Sequence, residues 1–399
     1  MGSNIANAES SLKVGDRVTV EIGPVAHGGH FIARHKGQVI FVRYGITGEE
    51  AVVEITSISS KLARGDAIEI LKPSPDRVVP PCKYAVPGGC GGCDFQHIEI
   101  SKQSDYKRAV IREQFSRLGR IELDLDVVTV EPKDGLHWRT RMDFAISKNG
   151  KPGLYSARSK EVTEIDKCLI AVEAINDPAM FARNWKGEDR LEVAVSNSGE
   201  RNVSRGGRSI SGPTQLHEVV GEHTFEISPS SFWQSHSAAP ETLTKLVMDL
   251  LALRPGDQAC DLYGGVGLFT APISEDVGDI GKVHLIESSH RATQDALKIF
   301  DKKKNVQIHS GRVEQKLPLI NRIDVILLDP PRTGAGEMVV KQMMAKKPRT
   351  IVYVSCDPAS LARDARQLEE GGYHIDHIVG FDLFPMTSHV ECVARFTLG

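Results

Sequence analysis

The sequence predicts a multidomain α/β protein built in three parts. A small N-terminal β-barrel is followed by a mixed α/β middle, and then by an open, doubly wound parallel sheet that ends in an antiparallel hairpin. Three observations carry that expectation. From about Pro229 onward, apolar strand-like runs alternate with helical segments, the pattern of a parallel sheet covered on both faces. Between Gly15 and Leu71, short alternating strands are separated by glycine turns at the spacing of a small barrel. The last two strand-like runs, about 373–381 and 389–397, lie too close together for a crossover and must form a hairpin.

In chain order, residues 1–10 are small, polar and aperiodic and are expected to be a disordered tail. Residues 11–72 hold the barrel, with strands at Arg17–Ile22, Gly37–Val42, Ala51–Ile55 and Ala67–Ile70. Lys72-Pro73-Ser74-Pro75 reads as a linker. Residues 76–228 form the mixed middle, with an amphipathic helix over about 100–119 that is free to pack on the C-terminal part, and a strand at 141–146. Residues 229–399 carry the regular succession: helix 238–252, strands 258–263, 282–287, 305–309, 323–329 and 350–355, and helix 359–370.

With 399 residues, 40% hydrophobic and 25% charged, the chain has the composition of a globular protein with ample core. No apolar run reaches membrane-spanning length, and no signal-peptide or myristoylation pattern is visible, so a cytoplasmic monomer is expected. Seven cysteines in that compartment are not read as disulfides. The net charge of −3 lacks the basic footprint of many RNA binders. Basic residues nonetheless cluster, with six against two acidic ones between Lys102 and Arg120. Taken alone, such a cluster is a solvated helix face.

The chemistry concentrates at strand ends, where open α/β sheets place their sites. Asp329 closes the run Val325–Leu328 and opens Asp-Pro-Pro-Arg. Cys356 follows Ile351–Val354 in Ser-Cys-Asp-Pro. Glu391 follows His389 at the start of the last strand. Upstream, Asp261-Leu262-Tyr263-Gly264-Gly265-Val266-Gly267 is a turn whose glycines let backbone approach a ligand. Glu287, at the end of the next strand, suits paired ribose hydroxyls. The turn does not fit the dinucleotide spacing, and no phosphate-gripping lysine motif is present. A nucleoside cofactor beside a nucleophilic cysteine follows. A lone strand-end cysteine is more often a small buried hydrophobe, and only the company of Glu391, Asp329 and the turn makes Cys356 a nucleophile. Cys260 and Cys392 lack such company and read as structural.

Cys82, Cys90, Cys93 and Cys168 form a second constellation, spaced C-x7-C-x2-C-x74-C. Four thiolates hold zinc or an iron–sulfur cluster, and the spacing does not choose between them or fully exclude buried free thiols. Phe232 and Trp233, beside Gln234, could stack a base; by themselves they read more readily as a core cluster at a domain boundary.

Taken in order, these motifs resemble the S-adenosylmethionine-dependent uracil-5 RNA methyltransferases, in particular the branch acting on 23S ribosomal RNA that carries a TRAM domain and an iron–sulfur cluster. The resemblance runs from about residue 12 to the C-terminus through Ser74–Val78, Cys90-Gly91-Gly92-Cys93, Gln96-His97, Trp138-Arg139, Cys168, Ser231–Gln234, Asp261–Tyr263, Asp329–Arg332, Ser355–Pro358 and Phe384-Pro385 to Glu391. It implies a TRAM barrel of OB-like fold over residues 12–71 and a class I, Rossmann-like methyltransferase sheet. It also implies a [4Fe–4S] cluster on Cys82, Cys90, Cys93 and Cys168. S-adenosylmethionine would lie against Gln234, Tyr263, Gly264, Gly265, Gly267, Glu287 and Asp329. Cys356 would be the nucleophile, Glu391 the base, and Phe232 and Trp233 would face the uridine. The partner is RNA, ribosomal before transfer RNA, and the product 5-methyluridine. Gly264, His236 and the stretch Ala292–Ala296 depart from the family pattern. Two other classes are a non-catalytic RNA-binding assembly factor, which would not need Cys356 and Glu391, and a protein or small-molecule methyltransferase, which would need neither the thiol nor the barrel.

Overall fold

A computed structural model describes residues 12–59 and 62–399; the tail expected over 1–10 lies outside the described residues. Five strands, Arg17–Ala26, His30–His35, Gln38–Arg43, Glu50–Ser59 and Leu62–Lys72, close into the N-terminal barrel. Four of them were anticipated. His30–His35 was not, because His-Phe-Ile-Ala-Arg-His alternates weakly and is hemmed by two tight turns. Inward residues such as Val20, Ile22, Phe31, Ile40, Val42 and Val53 fill the barrel, and Phe95, Ile98 and Val110 from the following segment close its end.

The middle of the chain holds an antiparallel sheet of six strands around Arg141–Ile146 and Arg190–Val195, and a hairpin, Leu216–Val220 with His223–Ile227. Its packing differs from a division at residue 228. Leu216, Val220, Phe225 and Ile227 join the core of the C-terminal sheet, and the short strand Val127–Thr129 extends that sheet by pairing parallel to Gly380–Asp382. The helix expected over 100–119 is α-helical over Ile100–Gln114 and widens to a π turn over Phe115–Gly119. Its apolar face, Ile111 and Phe115, packs into the C-terminal core.

The C-terminal sheet has the spatial order Val306–Ser310, Lys282–Glu287, Gln258–Leu262, Val325–Leu328, Thr350–Ser355, Glu391–Leu398, Tyr373–Asp382, Val127–Thr129. The first five are parallel, and Glu391–Leu398 runs antiparallel between its two long neighbours. The central strands Val325–Leu328 and Thr350–Ser355 are buried on both faces, as inner parallel strands must be, while the edge strand Val306–Ser310 is only partly covered. Ala259, Leu285, Val325, Leu327 and Val352 face one helical layer, while Cys260, Leu262, Ile286, Ile326, Ile351 and Tyr353 face the other. The strand order reverses at Gln258–Leu262, so the crevice outside its carboxyl end is where a ligand is to be sought. No helix among the described residues is long and apolar enough to cross a membrane.

Candidate active site

At that crevice lies a cavity of about 690 Å³. Its wall includes Gln234, Tyr263, Gly265, Glu287, Asp329, Cys356 and Glu391, and Phe232 stands at its mouth. Each side chain arrives for a local reason. Tyr263 ends the switch-point strand in a left-handed conformation (φ 62°), a strained turn that departs sharply from the strand direction. Gly265 follows at φ 57° with open space where a Cβ would stand, so the backbone there is bare to the cavity. Its N–H donates to Glu287 Oε2 at 3.0 Å. Gln234 Nε2 donates to Asp329 Oδ2 at 3.1 Å.

Cys356 sits at the end of Thr350–Ser355, just before the helix Pro358–Glu370. Asp357 caps that helix by accepting from Ser360 N–H at 2.8 Å. The helix dipole there favours a thiolate. Antiparallel pairing sets Cys392 opposite Ser355, which brings Glu391 level with Cys356 at the same rim. This is the geometry that the sequence could only imply.

The site is crowded with acid. Burial, followed by repulsion from Glu391 and Asp329, pushes the Cys356 thiol up to about 12, with Arg332 pulling the other way. Burial and the charge of Asp261 push Asp329 up to about 7, against the hydrogen bond from Gln234. Asp261, buried and bonded to Thr270 Oγ1 at 2.7 Å, is likewise raised to about 7. Glu391 is raised well above the carboxylate range by burial and then by Asp329. Its Oε1 is buried without a hydrogen-bond partner, while Arg332 donates instead to His389 Nε2 at 3.3 Å. Among the described residues no arginine forms an ion pair with Glu391, although the charge of Arg332 still acts on it.

The structure places three of the expected site residues off the main cavity, although Trp233 and Gly264 line a small hollow beside it with Tyr263 and Asp329. Trp233 does not face the cavity: it is buried in the core against Phe225, ring centroids 5.3 Å apart, and only Phe232, 66% exposed, is free to stack. Gly264 and Gly267 do not line the main cavity either. A Cβ on Gly264 would stand 2.9 Å from Leu285 and one on Gly267 would stand 2.4 Å from Phe300, so both serve close packing of the turn. His236 is buried, stacked on Trp138 at 5.4 Å, and accepts from Ala238 N–H, and so orders the segment that presents Gln234.

Cys82, Cys90, Cys93 and Cys168 do converge on one small cavity. Gln96 Oε1 accepts from Cys82 N–H, and the Asn176 side chain brackets the Cys168 backbone. A finished metal site was expected, yet among the described residues no group of three or more His, Cys, Asp or Glu side chains is set closely enough to hold a metal ion. The donor set, four thiols around one small hollow, suits a soft metal.

Sequence reasoning missed the wall formed by Trp138, Arg139, Arg332, Thr387 and His389. It also missed the grip of the helix Ile100–Gln114 on the loop before Glu391. Gln103 Oε1 accepts from Met386 N–H at 2.7 Å, and Lys107, fully buried, pairs with Asp382 and donates to Phe384 O at 3.0 Å. One of the basic-cluster side chains read as part of a solvated face is not solvated: Lys107 is buried by this pairing, whereas Arg108 stays at the surface beside Asp105.

Comparison with known proteins is consistent with this geometry. The TRAM domain family matches residues 11–68, and the family described as tRNA (Uracil-5-)-methyltransferase matches residues 315–397, which hold Asp329, Cys356 and Glu391. An uncharacterized RNA methyltransferase of Streptomyces coelicolor is 41% identical, the match covering 96% of this chain and 93% of that protein. The chain belongs to the TRAM-containing RNA (uracil-5-)-methyltransferase family. A Streptomyces avermitilis member, also described as an uncharacterized RNA methyltransferase, is 40% identical over 96% of this chain and 98% of its own length. The family fold extends to a solved structure, the tRNA (uracil-54, C5)-methyltransferase of Pyrococcus abyssi in complex with S-adenosyl-L-homocysteine. It aligns over 95% of this chain and 99% of that one with a TM-score of 0.71 at 24% identity.

Proposed function

We propose that the protein transfers a methyl group from S-adenosylmethionine to carbon 5 of a uridine in RNA through a transient bond between Cys356 and the uracil ring. The observation that supports this most is the meeting of a thiol, an unpaired buried carboxyl and a glycine-bared turn around one cavity. Gln234, Tyr263, Gly265, Glu287 and Asp329 would hold the cofactor, and the fit is chemical as well as spatial. Asp329 and Asp261 are two enclosed carboxyls raised by burial, an environment that favours a ligand bearing positive charge. When bound, the cofactor would supply an electrophilic methyl group, its sulfur keeping the electron pair of the broken sulfur–carbon bond and leaving as S-adenosylhomocysteine.

Carbon 5 of uracil is a weak nucleophile. Addition of the Cys356 thiolate to carbon 6 makes the ring an enolate, and carbon 5 then forms the new carbon–carbon bond. Glu391 next takes the proton from carbon 5, and the Cys356 sulfur leaves with its electron pair as the double bond returns. In its carboxylate form, a group with raised proton affinity and an unpartnered Oε1 is suited to accepting that proton. Arg332 lowers the proton affinity of both groups and so favours the thiolate. The uridine must be single-stranded or turned out of a helix to enter, and Phe232 stacks on it at the mouth.

The target is proposed to be ribosomal RNA, 23S by the resemblance, with transfer RNA as the alternative. Mapping 5-methyluridine in total RNA from cells with and without the protein tests both. Loss of the mark from one ribosomal position is the expected result, and an unchanged map refutes the assignment. We further propose that Cys82, Cys90, Cys93 and Cys168 hold a [4Fe–4S] cluster with a structural role. Anaerobically purified protein is then brown, with about four irons per chain, and Cys90→Ser bleaches it. A colourless protein with one zinc supports the tetrahedral alternative.

A further inference from the structure

Phe232 borders a second sizeable hollow besides the main cavity. Lying behind the ring, it measures about 270 Å³ and is walled by Arg141, Arg190, Ser204, Ser230 and Trp233. Arg139, Phe232 and Ser235 line both hollows, so the two are adjoining rooms with an exposed phenyl ring in the doorway. The size is at the lower end of ligand-sized cavities and matches one nucleotide.

The chemistry of the walls is that of an anion with an aromatic attached. Arg141 Nη1 is committed to the carbonyls of Pro229 and Ser231, both at 2.9 Å. Its Nε and Nη2 are buried with no hydrogen-bond partner, and its nearest carboxylate is Glu218 at 4.0 Å. A buried guanidinium with unspent N–H groups is costly unless something accepts from it. Two carboxylates also line the hollow, Asp143 and Glu192, and both are engaged by Arg190. Arg139, whose Nε is tied to the Arg141 carbonyl at 2.9 Å, adds a further cation. Among the side chains that line the hollow, three arginines face two carboxylates, and Glu218 stands outside it, so the wall carries the positive excess that a phosphodiester requires. Ser204 and Ser230 complete the wall, and the exposed ring of Phe232 offers the stacking face.

We propose that this second hollow receives the nucleotide adjoining the target uridine, its phosphate turned toward Arg141 and Arg139 and its base against the outer face of Phe232. The phenyl ring then separates two consecutive bases. One faces Cys356 and the other is held in the second hollow, so the enzyme reads the neighbour of its target as well as the uridine. The inference rests on the RNA function proposed above.

The test compares uridine 5′-monophosphate with the dinucleotides UpA and ApU, binding to the full-length protein with S-adenosylhomocysteine present, by calorimetry. One of the two dinucleotides is expected to bind roughly tenfold more tightly than the mononucleotide, the scale of one stacked base. Ser230→Trp, which plugs the hollow, and Arg190→Ala, which frees its carboxylates to repel phosphate, should each erase that gain. Neither residue lines the first cavity, and retained S-adenosylhomocysteine binding shows that each variant is folded. Dinucleotides no tighter than the mononucleotide overturn the subsite alone, as does a gain that survives both variants. If none of the three nucleotides binds while S-adenosylhomocysteine does, the uridine pocket falls and the subsite falls with it.

Discussion

At the scale of single residues, the site is a set of acids held close to one thiol, and its behaviour follows from where their protons sit. If Glu391 removes the carbon 5 proton, Glu391→Gln should still add Cys356 and accept the methyl but stall before release. A covalent RNA–protein adduct carrying labelled methyl should then accumulate on a denaturing gel, and Cys356→Ala in the same chain should abolish it. A folded, cofactor-binding Glu391→Gln protein that traps nothing would remove Glu391 from this role. Asp329 sets a pH dependence. Its proton affinity in the fold, about 7, exceeds the unfolded carboxyl value near ~3.9. The folded chain therefore binds the extra proton between those limits, and the contribution of this group to stability falls as pH rises through that window. A cationic ligand prefers the ionised carboxyl, so S-adenosylmethionine affinity should rise by up to about tenfold per unit below pH 7 and then level off. Titration calorimetry at several pH values checks this, and Asp329→Asn should flatten the curve.

At the scale of elements, the barrel is docked on the rim that carries Cys356. The turn between Arg17–Ala26 and His30–His35 places His27 Nε2 3.0 Å from Asp357 Oδ2, one residue from Cys356. Asp94 accepts from Ser388 Oγ at 3.0 Å beneath the same turn. Gly29 makes this contact possible: at φ 77° a Cβ would meet Ser388 at 2.8 Å, so any side chain there is both strained and obstructed. Gly29→Val should lift the turn off the rim. Turnover on RNA should fall several-fold with S-adenosylmethionine affinity unchanged, and hydrogen exchange should rise in the turn and around Ser388. Unchanged exchange at Ser388 would show that the turn carries no load.

At the scale of the whole molecule, the helix Ile100–Gln114 ties barrel, middle and C-terminal sheet together. Val110 closes the barrel core, Ile111 enters the sheet core, and Lys107 reaches Asp382. Removing one partner of a buried ion pair leaves an uncompensated charge and costs about 3–5 kcal/mol, whereas replacing both with apolar groups is often nearly neutral. Lys107→Ala should therefore lower the unfolding temperature markedly in scanning calorimetry. Lys107→Met with Asp382→Leu should recover most of that loss yet leave methylation impaired, because the Phe384 carbonyl before Glu391 has lost its donor. Full activity in the double variant would show that the lysine holds the fold and not the loop.

Much was legible in the sequence because period and punctuation are local properties. Apolar runs bounded by helical segments located every strand of the C-terminal sheet that follows Pro229 to within a few residues, and Asp329, Cys356 and Glu391 announced themselves by falling at strand ends. Adjacency across the chain was not legible. Trp233 and Phe232 are neighbours in sequence with the same stacking chemistry, and only packing against Phe225 buries one and leaves the other in the doorway. Lys107 reads as one more charge on a basic helix until the sheet covers it. The four cysteines could be counted and spaced, but the distances between their sulfurs belong to the fold. Composition and period determine which elements form and which side chains bear chemistry. Tertiary structure decides which of those side chains share a cavity, lose their water and change their proton affinity, because burial and through-space charge depend on residues hundreds of positions apart.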